Sequence, residues 1–330
     1  MLVAAALLLH ATALPVRAET LKDWKCTGNP DIPWDEQIVG CTKALKSGRF
    51  TGTGMMAALF DRGIAYQNNG DNDNAIADYN QAISIDPKFA PTYNGRGNAY
   101  YAKGDRDHAI DDYNQTITLD PKYTRAWYNR GNAYKAKGDY IRAIADYDQA
   151  IAIDPKFALA YHGRGIVYEA RGDNDRAIAD YDQAIALDPK YVDTYNNRGN
   201  VYKAKGDNDR AIADYTQAIA LDPKFAFAYN NRGNAYKAKG ENDRAIADYD
   251  QAIAIDPKYA TAYNGRGNTY LAKGDKDRAI TDYDRAIALD PKYARAYDNR
   301  GLAYKAKGDS DRAIADHNEA IRLDPKLGPK

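Results

Sequence analysis

An Asp-Pro-Lys triplet recurs every 34 residues, and that period decides what the chain can fold into. Its prolines stand at Pro87, Pro121, Pro155, Pro189, Pro223, Pro257, Pro291 and Pro325. A fixed period of this length marks a stack of one supersecondary unit, each copy burying its apolar face against its neighbours. The plainest copy runs from Val192 to Phe225, VDTYNNRGNVYKAKGDNDRAIADYTQAIALDPKF. Each column of the repeat is named below by its residue in that copy.

Two helical patterns fill the unit. Tyr195, Gly199 and Tyr202 recur at i, i+4, i+7; Ala211, Ile212, Tyr215, Ala218 and Ile219 make a second apolar face. Between them Gly206 suits the end of the first helix and Asp207 the N-cap of the second. Pro223 stops the second helix, because the residue before a proline is pushed out of the α region. Gly199 is glycine in all eight copies. A mid-helix glycine costs ~1 kcal/mol against alanine, which predicts close approach of a neighbouring helix there.

The spacing aromatic-x3-Gly-x2-Tyr, then Ala-x3-aromatic-x2-Ala, then Pro, resembles the tetratricopeptide repeat (TPR) over residues 56–327. The resemblance implies an all-α, right-handed superhelical solenoid of helical hairpins. It also implies a concave groove lined by the first helices, and protein or peptide partners.

The chain departs from the common TPR pattern in two columns. Arg198 stands on the core-facing stripe where a large apolar residue is usual, and Asp214 replaces an aromatic; all eight copies carry both. A charge on a packed face needs a partner. One reading pairs the two columns, stapling the helices of one hairpin or one hairpin to the next. The other pairs Asp214 locally with Arg210 at i, i+4, although Asn74 and His108 replace that arginine in two copies.

Residues 1–18 read as a secretory signal peptide, with a short apolar run from Leu2 to Leu9 and a small-residue cleavage site ending at Ala18. Export predicts a periplasmic or secreted protein and a Cys26–Cys41 disulfide, these being the two cysteines of the chain. Residues 19–55 form an N-terminal segment. Within it Ile38, Cys41, Ala44 and Leu45 keep the register of a second helix and predict a half-repeat cap. A glycine-rich link is expected over 48–55. Residues 328–330 form a short tail. The last copy carries His317, Glu319 and Arg322 in its second helix, a polar face suited to water.

Lysine plus arginine equals aspartate plus glutamate, 46 each, so no net field favours nucleic acid or a membrane surface. The apolar runs are too short for a transmembrane segment. Most of the 28 tyrosines fall in the packing columns, with their hydroxyls left for a polar edge. The four histidines are scattered, with no metal pair, phosphate loop or nucleophile elbow, so the reading is of no enzyme, no metal and no cofactor. The Asp207-Asn208-Asp209 loops suit helix capping rather than calcium, since the glycine and closing glutamate of a calcium loop are missing.

What remains is a polar stripe on the first helices, placed in the groove by the TPR resemblance. Its candidates are Asn94, Asn98, Asn132 and Lys135 in the early copies, then Asn196, Asn200, Lys203, Asn230, Asn234, Lys237, Asn264 and Asn268. Carboxamides both donate and accept, which suits the backbone of an extended peptide, and the lysines add a preference for acidic segments. Duplication of near-identical copies would also repeat these residues without a task; Ile64, Ile166 and Leu302 interrupt the Asn200 column. The function expected is a non-enzymatic protein- or peptide-binding scaffold, with a binder of cell-envelope glycan or polymer as the alternative.

Overall fold

The computed structural model describes residues 20–328. The expected leader over residues 1–18 and its cleavage site lie outside those residues. Among the described residues there are seventeen α-helices and no strand, and no helix is long and apolar enough to cross a membrane. The first, α1, is Trp34–Lys46. Eight hairpins follow. They are α2 Gly52–Asn68 with α3 Asn72–Ile85, α4 Ala90–Ala102 with α5 Arg106–Leu119, α6 Thr124–Ala136 with α7 Tyr140–Ile153, and α8 Ala158–Ala170 with α9 Asn174–Leu187. The last four are α10 Val192–Ala204 with α11 Asn208–Leu221, α12 Ala226–Ala238 with α13 Asn242–Ile255, α14 Ala260–Ala272 with α15 Lys276–Leu289, and α16 Ala294–Lys307 with α17 Ser310–Leu323. The chain divides into two compact units, Met1–Gln149 and Ala150–Lys330. Both are built from the same hairpin.

The turn inside each hairpin follows from two residue types. The Gly206 column holds a left-handed conformation, with φ between +76° and +84°, which glycine adopts without strain. The following aspartate caps the second helix: Asp207 accepts a hydrogen bond from the Arg210 backbone N–H at 3.0 Å. Such a cap contributes about 1 kcal/mol. Glu241 takes that place in one copy and makes no side-chain cap bond.

The Tyr215 column is the centre of each hairpin. Tyr215 is 0% exposed, and burying a ring of this size contributes roughly 2 kcal/mol. Its ring explains the invariant glycine. A Cβ on Gly199 would lie 2.7 Å from the Tyr215 Cε1. The close approach is therefore to the paired helix of the same hairpin, to its ring first and in other copies to its backbone as well: a Cβ on Gly97, Gly233 or Gly267 would also lie 3.2 Å from the carbonyl oxygen of Ala109, Ala245 or Ala279. In the last copy, where His317 replaces the tyrosine, Gly301 faces the Ala313 carbonyl instead.

The arginine and aspartate columns pair in every hairpin. Arg198 donates from Nε and Nη2 to the two carboxylate oxygens of Asp214 at 2.9 and 2.6 Å, and the same fork joins Arg62 to Asp78 and Arg300 to Asp316. The third nitrogen reaches the preceding second helix: Arg96 Nη1 donates to Asn80 at 2.6 Å and Arg232 Nη1 to Thr216 at 3.0 Å. One guanidinium thus ties two hairpin helices together and ties that hairpin to the one before. The local alternative is not used. Arg210 turns back to the capping Asp207 and lies over the Tyr202 ring, 4.4 Å from its centroid.

At the N-terminal end α1 stands where a preceding second helix would, and Arg62 Nη1 donates to Thr42 on it at 3.0 Å. Cys26 and Cys41 are joined by a disulfide and buried with Ala58. Gly40 admits the Trp24 carbonyl, which a Cβ would block. The fully buried Gln37 donates to the carbonyls of Asn29 and Ile32 at 2.7 and 2.9 Å, so the loop before α1 is held down by a side chain as well as by sulfur. Helix α2 begins at Gly52, inside the expected glycine-rich link. At the other end the polar substitutions do not cover everything: Leu302 is 52% and Ile314 60% exposed.

Candidate functional site

The twelve stripe residues separate into three chemically different columns. In the Asn200 column each asparagine accepts the hydroxyl hydrogen bond of its own hairpin's buried tyrosine. Tyr113 donates to Asn98, Tyr147 to Asn132, Tyr215 to Asn200, Tyr249 to Asn234 and Tyr283 to Asn268, at 2.7 to 2.8 Å. A buried hydroxyl without such a partner costs about 1–3 kcal/mol. The interruptions follow the same need. Where Ile64 and Ile166 replace asparagine, the Lys203 column supplies the acceptor: Tyr79 donates to Gln67 at 3.1 Å and Tyr181 to Glu169 at 2.8 Å. Where Leu302 replaces it, the tyrosine itself has become His317.

The Asn196 column is buried: Asn94, Asn196, Asn230 and Asn264 are 3% to 8% exposed. An asparagine of the next repeat, in a column the sequence reading did not single out, donates to three of them. Asn129 reaches Asn94 at 3.1 Å, Asn231 reaches Asn196 at 3.0 Å and Asn299 reaches Asn264 at 2.9 Å. At the fourth the next repeat carries Gly265, and the Asn230 Oδ1 is buried without a donor.

The lysine column differs from both. Lys135, Lys203 and Lys237 are half-buried, and no carboxylate or carbonyl among the described residues accepts from them. Burial lowers the pKa of each, and the Lys237 charge lowers Lys203 further. Beside them the asparagine oxygens are already taken by tyrosine, while the amide N–H groups of Asn132, Asn200, Asn234 and Asn268 have no acceptor among the described residues. The stripe therefore offers donors and positive charge with few free acceptors. Phe227 begins the same stripe on α12. It is 56% exposed and meets Tyr259 edge-on, with ring centroids 5.2 Å apart, an apolar foothold beside the polar groups.

Hairpins of two helices, a glycine against a buried aromatic and a helix-ending proline recur through the array. The family's repeat models match it throughout. One, described as TPR repeat, matches residues 63–104, 97–138, 168–206, 199–240, 233–274 and 267–308; others, described as tetratricopeptide repeat, match 124–157, 146–179 and 294–327. The chain belongs to the tetratricopeptide repeat family. No curated protein matches it. Among solved structures, MamA is 34% identical over 49% of this chain and 95% of its own, with a TM-score of 0.44. A TPR protein from Parabacteroides merdae is 22% identical, over 75% of this chain and 98% of its own, with a TM-score of 0.58. A chain of the APC/C hetero-tetramer Cut9–Hcn1 is 21% identical and the match covers 86% of this chain and 55% of that one, with a TM-score of 0.62. The last two likenesses are of TPR fold alone.

Proposed function

We propose that this TPR protein is a non-enzymatic scaffold that binds an extended, acidic protein segment along its first-helix stripe, in the groove expected of the family. The observation that carries the proposal is the unpaired pair Lys203 and Lys237. Each is half-buried, held below its usual pKa by desolvation, and without an anionic partner among the described residues. A carboxylate placed there would relieve both the desolvation and the mutual repulsion. The free amide N–H groups of Asn200 and Asn234 would donate to peptide carbonyls, and Phe227 would take an apolar side chain. The leader and the cysteine pair support an exported location for this activity.

The test is fluorescence anisotropy with a labelled glutamate-rich peptide of about ten residues. Binding should weaken as salt rises, since the contacts are partly exposed, and a lysine-rich peptide should not bind. Equal binding of acidic and basic peptides, or none of either, contradicts the proposal.

A further inference from the structure

Each internal junction shows what covers the end of a hairpin. The next first helix lays small residues against it. Ile212, for example, packs against the buried cluster of Tyr202, Tyr215 and the next helix's Ala235. Two side chains of that helix then bind oxygen atoms of the second helix. Arg232 Nη1 donates to Thr216, and seven residues on Lys239 Nζ donates to Asp209 at 2.6 Å. The same two links recur as Arg130 to Asn114 with Lys137 to Asp107, and as Arg300 to Asp284 with Lys307 to Asp277.

The hairpin α16–α17 carries the receiving half of this arrangement, and no further first helix is seated on it among the described residues. Ile314 holds the place of Ile212 but is 60% exposed. A recess of about 560 Å³ is lined by Leu302, Lys305, Ala313, Ile314, His317 and Leu327. Asn318 stands in the column of Thr216 and Asn114, and Asp311 in the column of Asp209 and Asp107; neither has a hydrogen bond or ion pair among the described residues. Apolar contact, an acceptor and a carboxylate are all in register.

We propose that the α16–α17 end is a docking site for one α-helix of a partner protein, a helix with a small-residue face and an arginine and a lysine seven residues apart. A second copy does not offer that helix. Its first helix nearest the N-terminus, α2, is already covered by α1, with Arg62 bonded to Thr42. The guanidinium would bond the Asn318 side-chain oxygen and the ammonium the Asp311 carboxylate, while Ile314 and Leu302 lose water.

The experiment uses the full chain and a synthetic peptide of the sequence of residues 226–239, AFAYNNRGNAYKAK, held helical by a hydrocarbon staple on its outer positions. Hydrogen exchange should slow in α17 when the peptide is added. Ile314→Glu, at an exposed position where folding is untouched, should weaken binding at least about tenfold. Alanine at the arginine and lysine of the peptide should do the same. No protection of α17, protection that survives Ile314→Glu, or self-association of the protein abolished by Ile314→Glu would each overturn the proposal, the last by giving the face to a second copy.

Discussion

Tyr215 donates its hydroxyl hydrogen bond to the Asn200 side-chain oxygen at 2.8 Å. The contact spans the two helices of one hairpin and satisfies the polar end of a ring that is otherwise wholly buried. Asn200→Ala should therefore destabilise the protein by about 1–3 kcal/mol, although alanine is the better helix former by several tenths. The arrangement in repeat four supplies a rescue. Asn200→Ile with Lys203→Glu copies Ile166 and Glu169, and urea unfolding should show most of the loss recovered. A double variant as unstable as Asn200→Ala would mean that the hydroxyl does not need that acceptor.

The fork between Arg198 and Asp214 predicts strong asymmetry between single and paired substitutions. The side chains are 18% and 7% exposed, so Asp214→Ala leaves the Nε and Nη2 of a largely buried guanidinium without their acceptor, with only Nη1 still paired to Asp182, and should cost about 3 kcal/mol. Arg198→Leu with Asp214→Tyr restores the apolar pair usual in the family and should recover much of it. Additive losses in a double-mutant cycle would contradict the coupling.

Asp61 predicts a pH dependence. It stands in the column of Asn129 and Asn231, has no bonded partner among the described residues, and is pushed by burial to a pKa of about 6. A folded pKa above the ordinary 3.8 means that the folded chain holds the proton more tightly. The resulting stability is complete below about pH 4 and is lost as pH rises through about 6. Asp61→Asn should raise the melting temperature near pH 8 and change it little near pH 4. An equal change at both pH values would contradict the assignment.

The N-terminal disulfide should matter to the cap rather than to the array. Reduction, or Cys26→Ser with Cys41→Ser, removes up to ~3 kcal/mol, and proteolysis should then begin in residues 20–46 while the repeats persist. N-terminal sequencing of the exported protein should start at Glu19. Free thiols in the oxidised protein or an intact Met1 in a cytosolic fraction would contradict the export reading.

The period, the hairpin and the arginine–aspartate pairing were legible because each rests on a column present in every copy. The division of labour among the asparagines was harder to see, since a helical wheel places Asn196, Asn200 and Lys203 on one stripe without showing which atoms are already bonded. A signal was nevertheless present: the Asn200 column loses asparagine where Gln67 or Glu169 stands three residues on, or where His317 replaces tyrosine. Reading two columns together reveals the hydrogen bond that neither reveals alone. The links from Asn129, Asn231 and Asn299 join different repeats and cannot be found from the periodicity of one helix. The exposed Ile314 is invisible to sequence for a similar reason, because its column is covered elsewhere by the following copy.

The most direct test separates the two stripe columns by titrating the glutamate-rich peptide into Lys203→Ala with Lys237→Ala, and into Asn200→Ala with Asn234→Ala, with a melting curve for each. The lysine variant should melt at or above the parent, because two desolvated cations are gone, and bind at least about tenfold more weakly. The asparagine variant should melt lower, because two buried hydroxyls lose their acceptors. A lysine variant that binds as well as the parent would contradict the claim that this stripe is the binding site.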